Sequence, residues 1–145
     1  MKIYFLPVLM LAWLPLPVAA HIHLAPETVS RGTPVEIALV VGHGCKGTPT
    51  TALRVAIPPA LTAVSVPQKA GWTVTTTPGE IRWDGGPLPD GEKASFPLRA
   101  TLAPDAPGAV AIPVIQVCGG LETRWIEAGA GAESPAPVLK TTPAK

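Results

Sequence analysis

Closely spaced turn-forming residues divide this chain into short apolar segments, and this spacing constrains its fold more than any other feature. The 145 residues include 19 prolines and 14 glycines. The segments between them are rich in Val, Ile, Thr and Trp, and several alternate apolar with polar residues, as half-buried strands do. No stretch shows the sustained period of an amphipathic helix. Candidate strands are 21–24, 35–41, 52–57, 62–66, 72–76, 80–84, 95–102, 110–117 and 122–127. This pattern predicts an all-β protein, an immunoglobulin- or fibronectin-like antiparallel β-sandwich.

Two prolines fall inside predicted strands. Pro97 lies in 95–102 and Pro113 in 110–117. Because proline lacks a backbone N–H, it is confined to sheet edges and bulges. We expect both positions to be such sites.

The first 20 residues have the pattern of a secretory signal peptide. Lys2 precedes an apolar run over 3–18, and small residues follow at 18–20. A membrane-spanning helix is the alternative, but it needs about 20 apolar residues, and prolines interrupt this run. We therefore predict removal of residues 1–20, a mature chain that begins at His21, and a periplasmic or secreted location. No later stretch is apolar enough for a membrane span.

Charge and composition limit the partners and the domain size. The chain has 11 Lys and Arg against 10 Asp and Glu, so loss of Lys2 makes the two equal. This balance argues against nucleic acid or anionic membrane as a partner. Residues 129–145 contain little large apolar surface, which predicts a flexible tail after one domain over 21–128.

The only two cysteines are Cys45 and Cys118. In an oxidising compartment they predict one disulfide. A thiolate metal site is the alternative, although no CxxC spacing supports it.

Catalytic motifs are missing from the sequence, whereas the histidines indicate a metal site. No GxSxG, P-loop or HExxH pattern occurs, and we predict no enzymatic activity. Cleavage before His21 would give that residue a free amine beside its imidazole, and two such nitrogens can chelate Cu(II). Otherwise His21 simply begins the first strand. Without methionine or a free thiol in the mature chain, a Cu(I) site is disfavoured.

The other two histidines allow further alternatives. His23 would be the third residue of the mature chain. Its imidazole could bind Cu(II) together with the N-terminal amine and two deprotonated backbone amides. This mode would require the backbone of the segment to leave any strand ladder. If this segment is locked in a sheet, the His21 mode should prevail. His43, between two glycines, is more typical of a loop histidine satisfied by hydrogen bonds.

The chain resembles the YcnI-like copper-binding domains over residues 21 to about 137. The resemblance rests on the order of the N-terminal His with Pro26, the segments His43-Gly44-Cys45, Thr48-Pro49-Thr50-Thr51 and Arg54-Val55-Ala56-Ile57-Pro58, then Gly71-Trp72, Ile81-Arg82-Trp83, Gly85-Gly86, Phe96, Pro113-Val114-Ile115-Gln116-Val117-Cys118, Trp125 and Pro135-Ala136-Pro137. It implies a β-sandwich with a mono-histidine brace, in which His21 supplies amine and imidazole, a carboxylate assists, and Trp125 lies beside Cu(II). Without the family, core packing explains Trp125 equally well. Glu92 is the nearest candidate carboxylate, and Glu122 or Glu127 could substitute.

Three functions are compatible with these residues. The leading hypothesis is an exported protein that stores, delivers or buffers Cu(II), with the copper ion and other periplasmic copper-handling proteins as partners. A metal-free β-sandwich interaction module is the alternative. A copper oxidase of the polysaccharide-attacking kind would need a second histidine, which only His43 could supply.

Overall fold

A computed structural model describes residues 21–145, and the predicted signal peptide at 1–20 lies outside the described residues. Every regular element from 21 to 145 is a strand, so the all-β prediction is confirmed. The strands are β1 (His23–Ala25), β2 (Thr28–Ser30), β3 (Pro34–Val41), β4 (Thr50–Ala56), β5 (Leu61–Ser65), β6 (Trp72–Thr76), β7 (Glu80–Leu88), β8 (Ala94–Leu102), β9 (Ala109–Ala111), β10 (Val114–Cys118), β11 (Leu121–Trp125) and β12 (Val138–Thr142). Among these residues, the structure contains no helix long and apolar enough to cross a membrane.

Two antiparallel sheets share one apolar core. The first has the order β1-β3-β8-β5 and the second β11-β10-β4-β7-β6. Alternate residues of their strands point inward, as the pleat requires. The largest core side chains, Trp83 and Phe96, are both 0% exposed and meet edge to face at 5.7 Å between ring centroids. A smaller sheet, β2-β12-β9, extends this core through Val29, Val110 and Leu139.

The two prolines behave differently in the structure. Pro97 lies in β8, which pairs with β3 along its length, whereas the pairing of β8 with β5 ends at Arg99. Pro97 is therefore at a local edge, as expected. Pro113 instead divides the predicted strand 110–117, and that prediction of a single strand was wrong. The halves become β9 and β10 in different sheets because the chain changes sheets at a residue that cannot donate a ladder hydrogen bond.

The prediction of a flexible tail from residue 129 was wrong for its last part. β12 pairs parallel with β2 and antiparallel with β9. Leu139 on this strand is 0% exposed. The folded domain therefore extends to Thr142 rather than ending at 128. The apolar contacts of the short strand β12 offset the entropy lost when it becomes ordered, although the stretch around it is mostly polar.

The predicted disulfide is confirmed. Cys45 and Cys118 are bonded, with 5.8 Å between their Cα atoms, so the thiolate metal site does not form. The bond joins the loop after β3 to the end of β10. It links the two sheets at the end of the molecule where His21 and His23 lie.

Candidate functional site

The site is built where the outermost strands of the two sheets come together. β1 is the edge of the first sheet and β11 the edge of the second. His21 precedes β1, and Trp125 ends β11. Their rings meet edge to face, with 5.8 Å between centroids and 87° between planes. The structure thus brings together the two residues that the sequence singled out for copper.

Strand alternation explains why His21 is accessible and why its segment is fixed. Ile22 and Leu24 point into the core at 4% and 3% exposure, whereas His21 and His23 are exposed. The buried pair fixes the segment against the core. His21 therefore presents its imidazole to solvent beside a buried indole, since Trp125 is only 5% exposed.

A buried amide holds the indole. Gln116, on β10 and 1% exposed, accepts a hydrogen bond from Trp125 Nε1 at 3.0 Å through its Oε1. Its Nε2 donates to the hydroxyl of Thr50 and to the carbonyl of His43, both at 2.7 Å. Both ends of the amide are used, so the orientation of the side chain is determined by its partners. Gln116 therefore connects the Trp125 indole to the loop that carries His43.

The loop after β3 brings His43 to the same indole. The rings of His43 and Trp125 are 6.4 Å apart with 67° between their planes. His43 Nδ1 donates to the Gly44 carbonyl at 2.7 Å, in agreement with the predicted hydrogen-bonded loop histidine. Gly44 N–H in turn donates to Asp90 Oδ1 at 2.9 Å. A Cβ at Gly44 would lie 1.8 Å from the Thr48 carbonyl oxygen, so this tight turn requires glycine.

His23 lies within the sheet rather than beside Trp125. It begins β1 and pairs with Val40 of β3. A square-planar mode that uses the amides of residues 22 and 23 would have to remove this end of β1 from the ladder.

Two of the three candidate carboxylates have other partners. Glu122 points to the opposite face of β11 from Trp125, where it pairs with Arg124 at 3.5 Å. Glu127 Oε2 accepts a hydrogen bond from the N–H of Glu133 at 3.1 Å, within the loop before β12.

Glu92 lies in the turn between β7 and β8, beside the His43 loop. Val41 pairs with Ala94, and continuation of this antiparallel register places Glu92 opposite His43. The Cγ of Lys93 lies 3.7 Å from where a Cβ on Gly42 would stand, which shows that the two segments stay close beyond the strands. Glu92 is exposed, as an oxygen ligand at the rim would be.

The described side chains alone do not form a complete metal site. Within 21–145 no group of three or more His, Cys, Asp or Glu side chains is placed to hold an ion. The cluster does fit Cu(II) if the amine of a chain beginning at His21 is included. That amine and the His21 imidazole then provide two nitrogens beside Trp125.

Sequence reasoning missed Gln116 and Asp90. Gln116 could have been found, because it is an amide at an inward position of the apolar run 114–118. A buried polar residue needs specific hydrogen-bond partners, so such a position indicates a specific contact. Asp90 gave no such signal, since an aspartate in a Pro-Asp-Gly turn is ordinary turn chemistry.

The two groups with a shifted pKa lie on β7, away from His21. Arg82 donates two hydrogen bonds to Asp84, which lower the pKa of the carboxyl group and raise that of the guanidinium. β7 is separated from β11 by two strands. These groups therefore do not contribute to the His21 cluster.

Comparison with known proteins places the fold and the family. The chain is similar to an uncharacterized protein from Nocardia farcinica whose crystal structure reveals an immunoglobulin-like fold, with a TM-score of 0.72 and 21% identity over 87% of this chain and 99% of that chain. The sixth cohesin of Acetivibrio cellulolyticus scaffoldin B, solved with the Cel5 dockerin, aligns at a TM-score of only 0.43 and 13% identity over 84% of this chain and 93% of that chain. No curated protein matches the sequence.

The match to the Nocardia farcinica structure confirms the predicted immunoglobulin-like sandwich. The family model that matches residues 21–81 and 74–141 spans nearly all of the described chain. The protein therefore belongs to the family described as Domain of unknown function (DUF1775).

Proposed function

We propose that this protein is an exported Cu(II)-binding protein that holds the ion at the N-terminus of its mature chain. The observation that carries the proposal is the contact between the exposed His21 imidazole and the buried indole of Trp125. A nitrogen chelate at this position would have one face against an apolar wall and the other open to solvent.

The donor set suits Cu(II). An α-amine and an imidazole on one residue form a chelate of nitrogen ligands, which Cu(II) binds more tightly than other first-row divalent ions. Both cysteines are in the disulfide, so the described chain supplies no thiolate for Cu(I). Glu92 is the carboxylate that we assign to the rim of the site, because Glu122 and Glu127 have other partners.

Two features favour the His21 chelate over the mode that uses His23. The amide mode would need residues 22 and 23 to leave the β1–β3 ladder and the Ile22 side chain to leave the core. The His21 chelate uses only the amine and a side chain that is already exposed. We therefore assign the competing mode to the unfolded peptide.

The biological part of the proposal follows from export and from the absence of catalytic motifs in the sequence. We assign the protein to the periplasm or the exterior, where it would store, deliver or buffer Cu(II) and exchange it with other copper-handling proteins. We propose no enzymatic reaction for it.

Competition titrations with Cu(II) test the proposal. The mature chain beginning at His21 is compared with a chain that keeps Ala20, in which the His21 nitrogen is an amide. We expect the extended chain to lose most of its affinity, while His23→Asn in the chain beginning at His21 leaves it unchanged. Equal affinity of the two N-terminal forms would refute the chelate, and mass spectrometry of the secreted protein identifies which form exists.

One observation favours a metal-free interaction module as the second candidate. β11 is an edge strand, and the large apolar side chains Leu121 and Ile126, on it and just after it, are 42% and 45% exposed. An edge of this kind can pair with an extended segment of another protein. Failure of the mature chain to bind copper would leave this candidate.

A further inference from the structure

We propose that strand β11 pairs with β11 of a second copy of this chain, antiparallel and centred on Thr123, so that two chains form a dimer. The occupant of this edge is then the chain itself rather than a segment of another protein. The pairing joins the five-stranded sheets of the two copies into one continuous sheet across a twofold axis. It is independent of the copper proposal, because none of its contacts uses His21.

The open side of β11 has backbone groups that can pair. In the described chain its one neighbouring strand is β10, reached through the two-residue loop 119–120. A hydrogen bond between the residues that flank such a loop closes it, and hydrogen-bonded pairs then alternate along the ladder. The backbone groups of the odd-numbered residues of β11 therefore face β10. Those of Glu122 and Arg124 face away from it.

Two hydrogen bonds agree with this direction. The carbonyl of Val117, which is the β10 partner of Glu122, accepts from the Thr51 hydroxyl on β4 at 3.3 Å and so points away from β11. The Arg124 carbonyl accepts from the N–H of Ile126, beyond the end of the strand, at 3.0 Å. A carbonyl oxygen has two lone pairs, so this one can accept from a second donor.

The charges of β11 match a second copy of the same strand. Glu122 and Arg124 lie on the outer face on either side of Thr123, with 3.5 Å between Glu122 Oε2 and Arg124 Nη1. In an antiparallel pair centred on Thr123, Glu122 of each chain lies opposite Arg124 of the partner subunit. Opposite charges at opposed positions stabilise a strand pair. The backbone groups of the same two residues face the open side, so both pairs also exchange hydrogen bonds.

The same charges disfavour the neighbouring registers. Hydrogen bonds form only if the residues whose backbone groups face the open side lie opposite one another, so the nearest alternatives are centred on Glu122 or on Arg124. The first places two glutamates opposite each other and the second two arginines. Like charges directly opposite destabilise a strand pair, so the register centred on Thr123 is favoured.

Apolar side chains flank this edge as well. Leu121 and Ile126 are 42% and 45% exposed, and they are two of the three large apolar side chains that are exposed in the described chain. In the proposed register, Leu121 of the partner subunit lies opposite Trp125 and loses exposed surface. The other edge strands of the two main sheets, β1, β5 and β6, contain no Asp, Glu, Lys or Arg, so no comparable charge pattern selects a partner for them.

The size of the contact sets its strength. β11 has five residues, and stable interfaces begin at roughly 1,200 Å² of total buried area, which one pair of such strands does not reach. We therefore expect a weak dimer that forms as the protein concentration rises and exchanges with the monomer.

Charge reversal in the mature chain beginning at His21 tests the interface. Glu122→Arg and Arg124→Glu each place like charges opposite one another, so either change should raise the dimer dissociation constant about tenfold or more. An equimolar mixture of the two variants restores opposite charges in a mixed dimer and should associate as tightly as wild type. Glu36→Arg is the matched control, because it reverses one charge of an exposed ion pair, with Arg99, on the other sheet. Sedimentation velocity over a range of protein concentrations measures each constant.

Amide hydrogen exchange followed by NMR locates the pairing. The N–H groups of Glu122 and Arg124 should exchange more slowly as the fraction of dimer rises. A wild-type chain that remains monomeric at millimolar concentration would overturn the proposal. So would a dissociation constant that is the same in Glu122→Arg as in Glu36→Arg, or a mixture that associates no better than its two components. Circular dichroism establishes that each variant keeps its fold, and recovery in the mixture requires two folded chains.

Discussion

Replacement of Gln116 by methionine removes the hydrogen-bonding centre of the site while it retains a side chain of similar length. Gln116 is 1% exposed, and its three hydrogen bonds go to Trp125, Thr50 and His43. The indole N–H and the Thr50 hydroxyl would lose these bonds at sites that are 5% and 0% exposed, and the hydroxyl would keep only its weak contact to Cys118 Sγ at 3.9 Å. The His43 carbonyl, in a partly exposed loop, can be hydrated instead.

The expected cost follows from these burials. Loss of the strong hydrogen bond of a buried polar group costs about 1–3 kcal/mol, so loss at the indole and at the Thr50 hydroxyl costs roughly 2–6 kcal/mol, with Thr50 at the lower end because of its remaining contact to Cys118 Sγ. Methionine recovers part of this through the transfer of its apolar atoms into the core. We expect a net loss of about 3 kcal/mol, which is a large share of the stability of a domain of this size.

Urea unfolding followed by tryptophan fluorescence measures the change. With a slope near 2 kcal/mol/M, a loss of about 3 kcal/mol lowers the midpoint by roughly 1.5 M. Gln68→Met is the matched control, because Gln68 is the only other glutamine and is exposed. It should change the free energy of unfolding by less than about 0.5 kcal/mol.

A double-mutant cycle isolates the bond to the indole. Trp125→Phe removes the N–H donor, so Gln116→Met should cost about 1 kcal/mol less in that background than in wild type. A loss below 0.5 kcal/mol in the single variant, or no coupling in the cycle, would show that Gln116 does not hold the indole as argued.

Three further predictions address other parts of the structure. Leu139→Ala should lower the free energy of unfolding by about 2–5 kcal/mol, because a side chain with 0% exposure on β12 leaves a cavity. Gly44→Ala should destabilise the chain, since its Cβ would collide with the Thr48 carbonyl, and the urea midpoint measures this effect. The pKa of Asp84 is lowered in the folded protein, so its pairing with Arg82 stabilises the fold at pH values above the unfolded pKa of about 3.8. This contribution is lost as the pH falls through the lower pKa of the folded state. Between pH 7 and pH 3 the wild type should therefore lose more stability than Asp84→Asn, by less than about 1 kcal/mol, because both groups are well exposed.

Each of these predictions has a result that contradicts it. Val138→Ala is the control for β12, because this neighbour is 45% exposed; equal small effects at 138 and 139 would mean that β12 is not part of the fold. A Gly44→Ala variant with wild-type stability would refute the close approach at the turn. An Asp84→Asn variant that loses more stability than wild type on acidification would reverse the sign assigned to its ion pair.

Local sequence patterns were sufficient for most of the secondary structure. Alternation and turn residues located nearly all the long strands, and 72–76 has the same limits in the structure. They failed where strand formation depends on distant partners. β12 exists because β2 and β9 lie on either side of it, and β9 separates from β10 because Pro113 marks the change of sheet.

The sequence by itself determined the all-β class, the pairing of its only two cysteines, and the histidine that a signal-peptide cut would expose. These follow from properties of single residues and their neighbours along the chain. Only the tertiary structure decided which side chains surround that histidine. His21 and His43 lie far in sequence from the β10–β11 hairpin that carries Gln116 and Trp125. They meet because the edges of two sheets converge and a disulfide joins the loop after β3 to the end of β10. The order of strands within the sheets, and the packing of one sheet on the other, set such distances, and a local pattern does not encode them.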